Sequence, residues 1–246
     1  MPRLTVELLQ TAPSYINPLK QRELDLRGRR IPLIENLGVA KDQDTIDFTD
    51  NDIASFGNFP VFPRLRTLMF ARNRIVHIQA NIGSSLPKLT TLILTDNNIA
   101  ELADLAPLKT LPLLHHLVLL NNPVSRKDNY RFWVIWLNPS IRFFDYKKVK
   151  DTERNQAKEL FGTAEEPTAL ASKIMGTTSH NFVAPTFESG EVQTDKALRI
   201  QLTENERKRV QELIRNATSL HEVDRLEKEL TEGRIPGGSD AVYKAR

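Results

Sequence analysis

Residues 89–99, with the sequence LTTLILTDNNI, constrain the fold of this chain more than any other stretch. Leu92 and Leu94 alternate with other residues, so a short strand would turn both leucines to the same face. Asn97 follows where the chain must bend, and its amide can pair with backbone groups that the bend leaves without partners. One such unit cannot bury its own apolar face, so it predicts further copies stacked beside it.

Similar units precede and follow this stretch. The first apolar residues of the predicted strands are Leu24, Ile46, Leu68, Leu92 and Leu117. Successive members of this set lie 22, 22, 24 and 25 residues apart, within the roughly 20 to 29 residues of a leucine-rich repeat. The pattern predicts an α/β fold, namely a leucine-rich-repeat solenoid of about five repeats with a cap at each end.

An asparagine follows four of the five predicted strands. These residues are Asn51, Asn73, Asn97 and Asn122, and Arg29 holds the equivalent position in the first repeat. A buried amide at a bend can satisfy backbone donors and acceptors, so we expect a structural role for all four asparagines. The exception lies in the first repeat, and end repeats are commonly atypical because one side faces solvent or a cap.

Segments on either side of the repeats are predicted to cap them. Residues 6–15 suit a short amphipathic lid over the first repeat. After Pro123, an aromatic-rich helix and a final strand with Phe143 and Phe144 would cover the apolar end of the solenoid. Residues 151–161 are predicted to form a terminal helix that packs back on this second cap.

Two tryptophans in the second cap, Trp133 and Trp136, allow an alternative role, namely the binding of nucleic-acid bases. Exposed aromatic side chains can stack on nucleic-acid bases. These two residues lack an interleaved basic face, however, which favours packing in the core.

The chain divides into three predicted parts. Residues 1–161 form the repeat domain with its caps, and residues 162–202 form a linker, since much of this stretch is rich in Thr, Ser, Pro and Gly. Residues 203–246 contain two capping boxes and read as a helical tail. So short a helical hairpin cannot bury a core of its own, so a partner is expected to order the tail.

Composition and motifs argue against an enzyme and against a metal site. The chain has no cysteine, which excludes disulfides and thiolate ligands and favours an intracellular protein. It contains no phosphate-binding glycine loop, nucleophile elbow or calcium loop. His115 and His116 are adjacent and would point to opposite faces of a strand, so they cannot chelate one metal together. We expect no catalytic residue, no metal and no cofactor.

The concave face of the solenoid is predicted to bind a partner protein. On each strand, the residue between the two buried ones points to this face. These residues are Asp25, Asp47, Met69, Ile93 and Val118, and the next positions on the same face are Arg27, Thr49, Ala71, Thr95 and Leu120. An acidic end followed by an exposed apolar stripe fits an amphipathic helix that is apolar in its middle and basic at one end. The alternative is that the cap or the tail covers this stripe.

Two groups of basic residues flank this face. The first group contains Lys20, Arg22, Arg27, Arg29 and Arg30, and the second contains Lys147, Lys148 and Lys150. Either group could contact RNA phosphates, and ordinary solvated surface is the equal alternative. The net charge is only +3, so an RNA-binding role has to rest on such local clusters.

Several segments together resemble one particular family of leucine-rich-repeat proteins. The family is that of the A-prime proteins of the U2 small nuclear ribonucleoprotein, in its fungal version, and the segments are RELDLRGRRIPLIENLG, IDFTDNDI, LILTDNNI, NPV, YRFWVIW and FFDYKKVK. The resemblance covers about residues 1–161, and residues 202–230 with the following GRIPG are similar to the tail of that family.

This resemblance implies a nuclear pre-mRNA splicing protein. It implies that the groove receives a helix of the B-double-prime protein, which carries an RNA-recognition motif, and that the pair binds a stem-loop of U2 snRNA mainly through that partner. Other spliceosomal proteins would bind the tail. The groove role falls on Asp25, Asp47, Met69, Ile93 and Val118.

The chain departs from the family pattern at Arg29 and Arg30 and at the Trp133 and Trp136 pair. A second interpretation of the sequence is a leucine-rich-repeat regulatory subunit of a phosphatase or of a microtubule motor. The basic groups favour the ribonucleoprotein over this alternative only mildly.

Overall fold

The computed structural model of the protein describes residues 3–163 and 166–177, and its centre is an eight-stranded sheet. The strands of this sheet are β1 (Ser14–Ile16), β2 (Arg22–Asp25), β3 (Thr45–Asp47), β5 (Thr67–Met69), β7 (Thr91–Ile93), β8 (His116–Val118), β9 (Phe143–Phe144) and β10 (Lys147–Lys148). A separate two-stranded sheet contains β4 (Ser55–Phe56) and β6 (His77–Ile78). The α-helices are α1 (Val6–Thr11), α2 (Ile82–Ser85), α3 (Tyr130–Leu137), α4 (Asp151–Phe161) and α5 (Ala169–Met175), and 3₁₀ segments lie at Leu37–Ala40, Leu102–Thr110 and Pro123–Arg126. Among the helices that the structure describes, none has the length and apolar character needed to cross a bilayer.

Six strands of the large sheet, from β2 to β9, pair in parallel with a single register. Their successive partners are Leu24, Ile46, Leu68, Leu92, Leu117 and Phe144, and all six side chains are buried. The predicted solenoid of five repeats is therefore confirmed, and the second cap adds a sixth strand in the same register. The antiparallel strands β1 and β10 pair with the two ends of this stack.

The asparagines of the second to fifth repeats make hydrogen bonds that hold neighbouring repeats together. The Asn97 Nδ2 donates to the carbonyl oxygens of Phe70 (2.8 Å) and Leu94 (3.1 Å), and its Oδ1 accepts from the Ile75 N–H (2.9 Å). Equivalent bonds are formed by Asn51, Asn73 and Asn122. All four side chains are buried. The geometry fits the structural role expected from the sequence.

The N-terminal cap differs from the single lid that the sequence suggests. Helix α1 starts at the N-cap Thr5 and buries Leu9, while Val6 is 39% exposed. The helix stops before Pro13, because the residue that precedes a proline disfavours the α conformation. Residues 14–16 then form β1, which leaves Tyr15 41% exposed on the edge of the sheet. The cap is therefore a helix followed by an edge strand.

The C-terminal cap buries Trp133 in the core and packs the half-buried Trp136 against it. The side chain of Trp133 is fully buried, and its Nε1 donates to the Leu102 carbonyl at 2.8 Å. The Trp136 Nε1 donates to the Gly162 carbonyl at 2.8 Å, and both indoles pack against the ring of Phe161 in α4. These contacts leave Trp133 inaccessible to a base, so the structure supports the packing role for this pair.

Helix α5 corrects the predicted boundary between domain and linker. From the sequence, residues 162–202 are predicted to be a linker, yet α5 packs on α4 and on the 3₁₀ segment Leu102–Thr110. The Thr168 hydroxyl caps this helix by accepting from the Ala171 N–H, and Ala171 is fully buried. Sequence pattern missed α5 because a helix of 7 residues shows little periodicity. Residues 164–165 and 178–202 of the predicted linker and the whole predicted tail lie outside the described residues.

We expect Asn97→Ala to lower the free energy of unfolding by about 2 to 4 kcal/mol, because it leaves several buried backbone groups without partners. Chemical denaturation followed by circular dichroism measures the change. The matched control is Asn98→Ala, since Asn98 is exposed and surface substitutions usually change stability by less than about 0.5 kcal/mol. Equal losses in the two variants would contradict the structural role of Asn97.

Candidate protein-binding groove

The concave face carries one continuous row of side chains, which we call the central row. It consists of Asp25, Asp47, Met69, Ile93 and Val118, which are successive partners in the register of the parallel strands. Side chains alternate along a strand, so this row faces away from the buried leucines. The structure thus brings together five of the six residues that the sequence assigns to the groove.

Accessibility along the apolar part of the row is less uniform than the sequence suggests. Met69 and Ile93 are half-buried, whereas Val118 is only 6% exposed. Val118 lies between Ile93 of β7 on one side and the cap strand β9 on the other, and this second neighbour explains its burial. The expectation of an exposed Val118 was therefore wrong. Leu120, the sixth assigned residue, follows the end of β8 and is half-buried.

The opposite end of the groove is acidic, and the Arg27 side chain lies within it. Asp25 accepts two hydrogen bonds from the Arg27 guanidinium, at 3.0 and 2.6 Å, and the Asp47 carboxylate lies 3.5 Å from the same group. Glu23 is buried beside them and accepts from the Tyr15 hydroxyl (2.9 Å) and the Asn17 amide (3.0 Å). The three carboxylates outnumber the two arginines near them, since Arg27 pairs with Asp25 and Asp47 and Arg29 acts electrostatically on Asp25. This end of the groove therefore keeps a net negative charge.

Hydrogen bonding to Arg27 lowers the pKa of the Asp25 carboxyl below its ordinary value. The same pair raises the pKa of the Arg27 guanidinium. A hydrogen bond to Glu23 raises the pKa of the Tyr15 hydroxyl. All three directions favour a charged Asp25, a charged Arg27 and a neutral Tyr15 near neutral pH, which preserves the charge pattern of the acidic end.

The first group of basic residues does not form one cluster. Lys20 and Arg22 lie at the β1–β2 turn and at the start of β2, whereas Arg29 and Arg30 follow the end of the same strand. Arg27 belongs to the groove and is paired with its carboxylates. These residues are close in sequence, but a strand places its two ends on opposite edges of the sheet. A common phosphate-binding role for all five is therefore not supported.

The second group of basic residues stays together. Lys147 and Lys148 form β10 at the edge of the sheet, and both are exposed. Lys150 precedes α4 and is also exposed, and its backbone N–H donates to Glu153 at 2.9 Å. Arg142 adds a further exposed positive charge just before β9. This edge is the more coherent basic surface of the two.

Sequence reasoning missed a second row on the concave face, two residues before the central row on each strand. This row contains Glu23, Thr45, Thr67, Thr91, His116 and Phe143. The rings of His116 and Phe143 stack with centroids 5.1 Å apart and an interplanar angle of 5°. The same alternation that gave the central row would have identified these residues, had it been extended two residues back along each strand and one strand further into the cap.

His115, unlike its neighbour, is half-buried, and this burial lowers the pKa of its imidazole. In the part of the chain that the structure describes, no group of three or more histidines and carboxylates could hold a metal ion.

Removing the guanidinium with Arg27→Gln should raise the pKa of Asp25 towards the ordinary value of about 3.9. An NMR titration of the Asp25 carboxyl carbon measures this change. Because the folded pKa is lowered, the stability that the pair contributes is present above the unfolded pKa and is lost as the pH falls through the folded pKa. Arg3→Gln, which breaks an exposed pair with Glu35 elsewhere, is the control. A titration curve for Asp25 that Arg27→Gln leaves unchanged would refute the pairing.

The chain is similar in sequence to known leucine-rich-repeat proteins. A leucine-rich-repeat family model matches residues 1–175 of this chain. The U2 small nuclear ribonucleoprotein A' of Aspergillus fumigatus is 68% identical, over 96% of this chain and 94% of its own. The human protein of the same name is 42% identical, over 96% of this chain and 91% of its own.

A solved structure shows the same relationship. One chain in the crystal structure of the Drosophila melanogaster SNF/U2A' complex is 45% identical to this one, with a TM-score of 0.64 over 67% of this chain and 95% of that chain. The family resemblance predicted from sequence segments is thereby confirmed. The chain belongs to the U2 small nuclear ribonucleoprotein A' family of leucine-rich-repeat proteins.

Proposed function

We propose that this protein is a non-catalytic scaffold of the nuclear U2 small nuclear ribonucleoprotein, acting in pre-mRNA splicing. Its groove receives one helix of a partner with an RNA-recognition motif, the B-double-prime protein. The central row carries this proposal, because it joins accessible apolar side chains to an acidic end on one concave surface. The SNF/U2A' complex of Drosophila, whose chain is similar to this one, supports a protein partner.

The dimensions of the groove suit a helix. Parallel strands lie about 4.8 Å apart, so the five strands from β2 to β8 span about 19 Å, the length of a helix of about 13 residues. Side chains at helical spacing on one face would contact Met69, Ile93 and Leu120. A basic residue about two turns away would face Asp25, which is the more accessible of the two aspartates, while the buried Asp47 adds to the negative potential of this end.

The partner supplies the recognition of RNA bases in this proposal, and the scaffold adds electrostatic contacts. Lys147, Lys148 and Lys150 are exposed together at the sheet edge, next to the end of the groove formed by β8 and β9. A stem-loop of U2 snRNA held by a partner in the groove would pass close to these lysines. Phosphate contacts of this kind position the RNA without reading its sequence.

Ile93→Asp should weaken binding of the purified B-double-prime protein by about 30-fold or more, because it places a charge at the centre of an apolar interface. Isothermal titration calorimetry measures the affinity, and circular dichroism checks that the variant is folded. Val39→Asp is the matched control, since Val39 is 54% exposed in the 3₁₀ segment Leu37–Ala40, away from the concave face. Wild-type affinity in a folded Ile93→Asp protein would overturn the groove assignment.

Reversing the charge of Lys147, Lys148 and Lys150 to glutamate should weaken binding of the protein pair to the U2 stem-loop. The dependence of affinity on salt should become shallower, by up to about 0.7 to 0.9 logarithmic units of slope for each lost phosphate contact. Fluorescence anisotropy over a series of salt concentrations measures both effects. A matched control reverses Lys41, Lys88 and Lys109, which are exposed elsewhere. An equal change in both triple variants would assign the effect to net charge and contradict the local contact.

A further inference from the structure

The turn between β9 and β10 contains a residue type that its backbone conformation disfavours. Asp145 and Tyr146 are its two central residues, and both have positive φ angles, of 49° and 61°. A two-residue hairpin turn of this kind prefers asparagine or aspartate followed by glycine, because glycine adopts a left-handed conformation without strain. An aspartate at the first position agrees with this preference, whereas a tyrosine at the second opposes it.

Contacts within the domain explain Asp145. Its Oδ1 accepts from the Leu119 N–H at 2.8 Å, and its Oδ2 accepts from the Tyr130 hydroxyl at 3.0 Å. These bonds fix the hairpin to β8 and α3. Asp145 is half-buried, and this burial raises the pKa of its carboxyl.

Packing does not explain Tyr146. Its side chain is 72% exposed, so the ring buries little apolar area against the domain. A bulky side chain in a left-handed conformation is a backbone outlier, and such outliers concentrate at functional sites. An exposed aromatic ring at a strained position therefore points to contact with something outside the domain.

The surroundings of Tyr146 are basic and aromatic. Lys147 and Lys148 follow it directly and are exposed, and Arg142 lies on the other arm of the hairpin. Phe143 is 40% exposed and pairs in register with Lys148, so the ring and the ammonium group share one face of the hairpin. Lysine is depleted in protein interfaces, whereas exposed aromatics among positive charges are typical of surfaces that bind single-stranded nucleic acid.

We propose that Tyr146 stacks on an unpaired base of RNA while the neighbouring lysines contact the phosphates on either side. This inference deepens the proposed RNA contact and rests on it. The base has to be unpaired, since a stacked duplex offers a side chain no free ring face. Stacking tolerates any base, so Tyr146 adds affinity and position to the complex without adding sequence specificity.

The decisive variants are Tyr146→Gly and Tyr146→Phe in the full chain bound to the B-double-prime protein. Glycine removes the ring and relaxes the turn, so the variant should gain thermal stability while the affinity for the U2 stem-loop with its single-stranded flanks falls about 5- to 100-fold. Phenylalanine keeps the ring, so its RNA affinity should match that of the wild type. A residue with a purely structural role would lose stability when it is replaced by glycine.

Salt dependence separates stacking from charge. Tyr146→Gly should weaken RNA binding with an unchanged salt slope, whereas reversing the three lysines makes the slope shallower. Wild-type RNA affinity in Tyr146→Gly would overturn the stacking contact, even if the lysine variant behaves as expected. If the lysine variant also binds RNA normally, the proposed RNA contact itself fails. Weaker binding of the B-double-prime protein to Tyr146→Gly without RNA would assign the ring to the protein interface and overturn the inference.

Discussion

The ladder of buried asparagines is the interaction on which the rest of this structure depends. Two of the four hydrogen bonds that the Asn97 side chain makes reach the preceding repeat, at Phe70 and Ile75, and two stay within its own repeat, at Leu94 and Thr95. Each ladder asparagine thus pairs with backbone groups of its own bend and links that bend to the preceding repeat. Because the same pattern recurs, successive strands are held in one register. Rows of equivalent side chains on the concave face follow directly from that register.

Most of the fold could be predicted from the sequence because each rule involved is local and repeated. The spacing of the strand leucines and of Asn51, Asn73, Asn97 and Asn122 gives the number of repeats and their alignment. Alternation along a strand then gives the members of the central row. What this logic cannot give is how deeply each member is buried. Val118 is covered because the cap adds β9 beside it, and the cap lies outside the repeat pattern.

Two further departures arise from contacts that no repeat rule encodes. Arg27 turns back onto Asp25 and Asp47, so a residue that reads as part of a basic cluster becomes part of the acidic end. The local sequence shows that both charges are present, but it does not show the side-chain conformation that brings them together. Helix α5 is ordered by packing on α4 and on a distant 3₁₀ segment. So short a helix depends on tertiary contacts, since isolated helices of this length are unstable in water.

At the two ends of the asparagine ladder, the fold no longer requires a particular residue type. No parallel repeat precedes β2, so a ladder amide at residue 29 would have no carbonyl of an earlier repeat to bond, and an arginine can occupy that place. At the other end, the Asp145 carboxylate accepts a hydrogen bond from the Leu119 N–H just after β8. The ladder asparagines accept from backbone N–H groups in the same way in the other repeats. The next residue, Tyr146, has an exposed side chain, and its positive φ angle disfavours so bulky a residue. Since neither the ladder nor the core requires a tyrosine there, the side chain is free to serve a partner, at a basic edge beside the groove.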